Sequence, residues 1–106
     1  MTRTLVLSAP TEDDLAEAID WYTRIRPGLG DDLVLCVEQA IDCILEHPEA
    51  FPAIMPDVRR TLVRRFPYGV FYRVRQHRIE VEALFPLRAD PARLWERFAL
   101  PPKQQS

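Results

Sequence analysis

Seven arginines lie between Asp57 and Glu80 with no acidic residue among them: Arg59, Arg60, Arg64, Arg65, Arg73, Arg75 and Arg78. A guanidinium is planar, stays charged near neutral pH and forks onto carboxylate or phosphate oxygens. Such a run can hold a polyanion or an acidic protein segment. It can also stabilise charge that develops on a phosphate in a transition state. It cannot act as a base near neutral pH, so proton transfer would fall to other side chains. Tyr68, Tyr72, His77, Glu80 and Asp90 are the candidates, and they form no recognisable dyad. His47 and His77 have no ligand-spaced partners and no C-x-x-C or H-E-x-x-H pattern occurs, so neither a metal nor a cofactor is expected.

Charge is divided along the chain. Residues 1–50 carry three Arg against eleven Asp or Glu, a net −8, whereas residues 51–106 carry eleven Lys or Arg against five Asp or Glu, a net +6. This asymmetry suggests a polyanionic or acidic partner for one face. The plainer alternative is that acidic helices neutralise a basic sheet within the monomer. The 106 residues, 47% hydrophobic and 28% charged, fit one globular domain. We expect it to span residues 1–98, with a flexible tail at 99–106. No apolar run approaches the roughly 18 residues that cross a membrane. The start MTRTLVLSAP does not read as a secretory signal, so the cytoplasm is the expected compartment. Cys36 and Cys43 are seven residues apart in a helical segment, roughly 10 Å at about 1.5 Å per residue. A disulfide needs less than about 7 Å, so two free thiols are expected.

The elements that position the arginines follow from periodicity. Thr4 to Leu7 is a short β-prone run before Pro10, taken as a breaker. Thr11 with Asp14 resembles a capping box opening a helix. Leu15, Ala18, Ile19, Tyr22 and Ile25 share one face of it, and Pro27-Gly28 stops it. Trp21 and Tyr22 are expected between helix and sheet. Asp31 and Asp32 open a second helix with the stripe Leu33, Val34, Val37, Ala40, Ile41, Ile44 and Leu45, ending at His47-Pro48. The short link implies a helical hairpin. Glu49 to Pro56 reads as a Pro-rich connection. Strand patterns then run from Thr61 to Phe66, Val70 to Arg75 and Ile79 to Phe85. In the last, Ile79, Val81, Ala83 and Phe85 alternate with Glu80, Glu82 and Leu84.

With Gln76-His77 as a turn, Val74 faces Ile79 and Arg73 faces Glu80, and a one-residue slip breaks both matches. The register around Pro67-Tyr68-Gly69 stays open, with Arg64 or Arg65 on the core face or a bulge between. Pro91 begins a last short helix anchored by Leu94, Trp95 and Phe98. The expected fold is α+β, a helical hairpin packed on a mostly antiparallel twisted sheet in the order β-α-α-β-β-β with a short C-terminal helix.

One sheet face, with Phe71, Arg73 and Arg75, would then be free to bind. Arg59, Arg60, Arg88 and Arg93 complete the expected binding set. Each has a plainer reading. Arg73 can simply pair with Glu80, Arg88 or Arg93 with Asp90 or Glu96, and Arg59 and Arg60 can be solvated. Arg64 and Arg65, adjacent on a strand, would point to opposite faces. Trp95 fits a core plug better than a stacking platform for a base, and Tyr68 a structural turn position.

The run from Arg60 to Val74 (RTLVRRFPYGVFYRV) resembles a signature of RelE/ParE-type toxins, often called plasmid stabilisation proteins. So do Ala18 to Tyr22, the Pro27 to Gly30 link, His47-Pro48 with Phe51-Pro52, and Leu87 to Pro91 with Trp95. They stand in the family's order and cover residues 4–98. The resemblance implies the fold just read, and a growth-inhibiting toxin neutralised by a cognate antitoxin in a hetero-oligomer. RelE-like members cleave messenger RNA on the ribosome. ParE-like members poison DNA gyrase, and some members have lost toxicity.

RelE-like enzymes use Lys and Arg from the strands and a Tyr near the C-terminus. By that pattern the catalytic candidates are Arg64, Arg65, Arg73 and Arg88. The chain departs from it elsewhere. Gly69 follows Tyr68 where ribonucleases carry Arg, Leu94 or Trp95 stands at the Tyr position, Pro86 replaces a common His, and Ala89 follows Arg88 where a basic pair is usual. The reading therefore leans toward a ParE-like gyrase poison. The alternatives are a ribosome-dependent endonuclease and a non-toxic antitoxin-binding module.

Overall fold

Ser8, rather than Thr11, caps the first helix. In the computed structural model, which describes residues 3–98, helix α1 runs from Ala9–Ile25. Extended Ser8 accepts the Thr11 amide on its hydroxyl, and Pro10 sits in the first turn. A proline there loses no helical hydrogen bond, because those N–H groups have no partner anyway. The breaker read at Pro10 is thus a helix starter. Gly28, at φ 88°, opens α2 (Leu29–Glu46) from the left-handed region that glycine enters without steric cost. Gly30 lies where α2 meets α1, and a Cβ there would strike the Thr23 side chain and the Ile19 carbonyl. The hairpin packs this closely because position 30 has no side chain.

Strand β1 (Thr4–Leu7) precedes the hairpin, and β2 (Ala53–Met55), β3 (Val58–Leu62), β4 (Tyr68–Val74) and β5 (Arg78–Pro86) follow it, before α3 (Pro91–Phe98). The three-residue β2 lies inside the Pro-rich connection and was not read from sequence. All five strands form one sheet, ordered β1-β5-β4-β3-β2, with β1 parallel to β5 and the other pairs antiparallel. The β4–β5 register places Arg73 opposite Glu80 and Val74 opposite Ile79, as the pattern requires. Between β3 and β4 the strands end earlier than expected. Leu62 pairs with Gly69, and Arg64 and Arg65 lie in the turn, Arg65 at φ 72°.

One extra residue decides what each sheet face carries. Phe71 pairs with Ala83 but Tyr72 pairs with Val81, so Glu82 is a bulge in β5. The expected alternation breaks there. Leu84 joins Ile79 and Val81 under the helical hairpin, with Leu33, Ile44, Val70 and Tyr72. Ala83 and Phe85 turn to the opposite face and meet Val58, Phe71 and Phe98 in a second core beneath α3. Fully burying a side chain such as Leu33 or Ile44 contributes about 1.5–3 kcal/mol. Tyr22 packs edge-on against Phe66 at 5.0 Å, but Trp21 is 59% exposed and Trp95 58% exposed. Neither tryptophan fills the core position expected of it, because the inward positions of their helices belong to Ala18 and Tyr22 and to Leu94 and Phe98.

Past Val81, β1 no longer covers the outer edge of β5. Side chains complete that edge. The Thr11 hydroxyl donates to the Val81 carbonyl (2.9 Å), the Leu84 amide to the Asp14 carboxylate (3.0 Å), and Arg97 to the Glu82 carbonyl (2.9 Å). An open edge invites pairing with another chain, and this one is closed without a further strand. The tail expected at 99–106 lies outside the described residues. Cys36 is buried and Cys43 exposed, both as free thiols. No helix among the described residues is long and apolar enough to cross a membrane.

Candidate functional site

The sheet face opposite the hairpin was expected to be open and basic. It is neither. Phe71 is 2% exposed, its ring 6.1 Å from Phe98 and 6.2 Å from Phe85. A short amphipathic helix lays its apolar side there, and no sequence period reveals which face it will choose. Phe71 is therefore a core residue, and its place in the expected binding set is withdrawn.

The arginines on that face are neutralised within the chain. Arg75 donates from Nη1 to Asp57 (3.0 Å) and from Nε to Glu80 (3.1 Å), and Arg78 donates to Glu80 (2.7 Å). Arg73 lies opposite Glu80 in the ladder, yet its guanidinium reaches Asp57 (3.7 Å) and Glu82 (3.9 Å) instead. It also donates to the Phe98 carbonyl at 3.3 Å and stacks over the Phe98 ring at 5.4 Å. Three guanidinium groups thus meet three carboxylates, all joined by contacts within 4.0 Å. The paired guanidinium groups of Arg78 and Arg75 lower the pKa of Glu80. Burial raises that of Glu82 against the opposing pull of Arg73. The hydrogen bond to Glu80 raises that of Arg75.

The other arginines divide between structural roles and exposure. Arg59 points toward the hairpin side and donates to the carbonyls of Phe51 (2.6 Å) and Glu49 (3.1 Å), fastening the connection after α2. Arg65 pairs with Asp32 at 3.6 Å, and Arg64 is exposed in the same turn. Arg60 lies across Gly69: a Cβ at position 69 would come within 3.0 Å of the Arg60 Cδ. The glycine that replaces the ribonuclease arginine thus accommodates an arginine from the neighbouring strand. Arg88 is exposed in the turn after β5, and Arg93 stacks over Phe85 at 4.8 Å. Among the described residues neither pairs with Asp90 or Glu96; Asp90 instead accepts the Ala92 amide at the start of α3.

The proton-transfer candidates are accounted for in the same way. Burial raises the pKa of Tyr68, with Tyr22 and Glu17 adding to the effect. Burial also raises that of Tyr72, whose hydroxyl donates to the Pro48 carbonyl at 2.7 Å. Both phenols therefore hold their protons near neutral pH. Glu80 is held by two arginines, Asp90 caps a helix, and His77 stands exposed at the hairpin tip.

Arg97 went unremarked in the sequence. It grips Asp14 through both nitrogens (2.9 and 3.0 Å), 83 residues away, and stacks over Phe85 at 4.7 Å. Asp14 was read only as part of a capping box, and nothing in the sequence links the two.

Concave surfaces border α3 on both flanks. A pocket of about 290 Å³ lies between α1 and the end of β4–β5, with Trp21, Tyr68, Phe85 and Arg93 in its wall. A groove of about 500 Å³ lies on the other flank, between Trp95 and the Pro56-Asp57 turn.

A helical hairpin thus covers one sheet face and a short closing helix the other. Residues 5–90 match the family described as the ParE toxin of the type II toxin–antitoxin system, parDE, and the chain belongs to that family. It is 34% identical over 85 residues to Toxin ParE2 of Mycobacterium tuberculosis, from strains CDC 1551 / Oshkosh and ATCC 25618 / H37Rv, across 79% of this chain and 81% of each relative. A solved structure described as the chromosomal ParDE TA system from P. aeruginosa superposes with a TM-score of 0.72, covering 80% of this chain and 96% of that one. At 18% identity this likeness is one of fold. The chain is a toxin of a type II toxin–antitoxin system, of the ParE-like kind.

Proposed function

We propose that this toxin acts in the cytoplasm by binding and poisoning DNA gyrase, without cutting RNA, and that a cognate antitoxin silences it in a hetero-oligomer. The observation that carries this reading is the neutral ion-pair network of Arg73, Arg75 and Arg78 with Asp57, Glu80 and Glu82. A phosphate-cleaving site needs uncommitted cations aimed at developing charge, with a group poised to take the 2′-hydroxyl proton. Here Arg73, Arg75 and Arg78 are engaged by carboxylates and both strand tyrosines hold their protons. Arg60, Arg88 and Arg93, which make no ion pair among the described residues, are the cations we assign to target or antitoxin contact.

Pulse labelling after tightly controlled induction without antitoxin tests the proposal. Thymidine incorporation is expected to fall before leucine incorporation, and purified toxin is expected to inhibit supercoiling by gyrase. An early fall in leucine incorporation, abolished by Arg88→Ala in a folded protein, would instead establish a ribosome-dependent nuclease. Normal growth with undiminished incorporation would leave an antitoxin-binding module.

A further inference from the structure

The groove beside Trp95 has two kinds of wall. Met55, Pro56 and Phe98 make one side apolar, and the indole of Trp95 stands beside them, 58% exposed. The guanidinium groups of Arg73 and Arg75 make the other. Between these two cations sits the carboxylate of Asp57, 3.7 Å from Arg73 and 3.0 Å from Arg75. Asp57 is held there by unusual means. Its backbone is left-handed, φ 71°, and its side chain is 54% exposed. Left-handed backbone is disfavoured for a residue with a side chain, though less for Asp and Asn than for most. Even so, the Arg73 Nε is buried and donates no hydrogen bond. A carboxylate that is exposed, strained and incompletely engaged is poorly placed as a permanent partner.

We infer that Asp57 is an internal stand-in, and that the groove receives an antitoxin segment bearing an apolar side chain beside a carboxylate. The apolar group would cover Trp95 and Phe98, and the incoming carboxylate would take the place of Asp57 on Arg73 and Arg75. Charge selects this occupant. The local network is balanced, three cations to three anions, so it does not attract a nucleic acid backbone, whose binding needs surplus positive charge. An incoming carboxylate that turns the half-exposed Asp57 side chain out into solvent leaves the two guanidinium groups matched. The helix that carries Trp95 is also fixed in position, because Arg97 ties it to Asp14. A preset aromatic wall costs little conformational entropy on binding. The inference rests on the reading of this chain as a toxin captured by an antitoxin.

The test is binding of full-length cognate antitoxin to full-length toxin, by titration calorimetry, for wild type and two variants. Trp95→Ala is expected to weaken binding about tenfold or more, as loss of a central aromatic contact does. Asp57→Asn keeps a side chain that tolerates left-handed backbone but removes the competing charge, and is expected to tighten binding by about threefold. A residue serving only the fold would not produce that gain. In the Trp21→Phe background, where Trp95 is the one remaining indole, its emission is expected to shift to the blue on antitoxin binding. Tight binding by wild type with both variants unchanged overturns the groove assignment alone, and weaker binding by Asp57→Asn overturns the displacement. A Trp95 response to a single-stranded oligonucleotide or to self-association, but not to antitoxin, assigns the groove elsewhere. Failure of wild-type toxin to bind antitoxin removes the toxin–antitoxin reading together with this one.

Discussion

Glu80 and Glu82 stand two residues apart on one strand, and their surroundings move their pKa values in opposite directions. Glu80 lies between Arg78 and Arg75, which lower its pKa from the ordinary 4.5. It therefore stabilises the fold above that ordinary value, and the contribution is lost as pH falls through the lower folded value. Glu82 sits in the bulge near the second core, where burial raises its pKa and Arg73 offsets this only partly. Its ionised form costs stability at neutral pH, and that cost fades as pH falls through the raised folded value. Glu80→Gln is expected to destabilise the fold at neutral pH by about 1 kcal/mol or less given its partly exposed partners, read as a lower melting temperature, and to have little effect well below pH 4.5. Glu82→Gln is expected to leave the neutral-pH melting temperature level or to raise it. Thermal melts across the acid range check both, and equal losses at neutral pH would contradict the assignment of opposite shifts. The sequence places Arg73 opposite Glu80 correctly. It does not reveal that Arg73 bonds elsewhere, because ladder register fixes Cα partners while a guanidinium spans several residues.

The elements were legible wherever a period ran unbroken. Both helices of the hairpin, the β4–β5 pairing and the short C-terminal helix follow from apolar spacing. The bulge at Glu82, the short β2 and the cap at Ser8 were not legible. The bulge and the cap each depend on a single residue whose role is set by a distant one: Glu82 by Phe71 and Tyr72, and Ser8 by the Val81 carbonyl that accepts its amide. The helix joints are where stability is expected to be most sensitive. Asp14 accepts from both Arg97 nitrogens and from the Leu84 amide, with only 11% of its side chain exposed. Asp14→Ala leaves a mostly buried guanidinium with only the Glu82 carbonyl to accept from it and a strand amide without its carboxylate, and is expected to cost about 3 kcal/mol. Chemical denaturation measures this, and a double-mutant cycle with Arg97→Met separates the ion pair from the amide contact. A cost below about 1 kcal/mol would show that water replaces the joint easily. Gly30→Ala is expected to destabilise by about 1–3 kcal/mol through overpacking at the α1–α2 crossing, where the Ile19 carbonyl cannot yield as a flexible side chain would. An unchanged denaturation midpoint would mean that the hairpin opens at no cost.

At the scale of the whole molecule, the charge division between the halves resolves in two ways. Among the described residues the −8 and +6 halves are joined by two ion pairs, Arg65 with Asp32 and Arg97 with Asp14. The arginines of the β4–β5 hairpin are matched instead by carboxylates from their own half: Asp57, Glu80 and Glu82. Much of the acidic helical surface therefore faces outward, while the sheet is balanced locally. Composition gave the asymmetry, but only three-dimensional pairing shows which cations remain uncommitted. For the same reason the candidate site was half legible. Arg60, Arg88 and Arg93 stay at the surface, Arg73 and Arg75 are paired, and Phe71 is buried. The pairing of β1 with β5, of Thr11 with Val81 and of Asp14 with Arg97 has a consequence for how the chain comes into being. The first strand has no partner until β5 exists, 74 residues on, and α1 lacks its tie to Val81 until β5 exists and its tie to Arg97 until α3 does, across 70 and 83 residues. Contacts of such separation form late, after the closure entropy of the intervening chain has been overcome. A chain still emerging from the ribosome thus holds a helical hairpin with its apolar face uncovered and a β5 edge unsealed. The toxin reaches its closed shape only after α3 has emerged, and until then its exposed surfaces are those a partner or chaperone meets first.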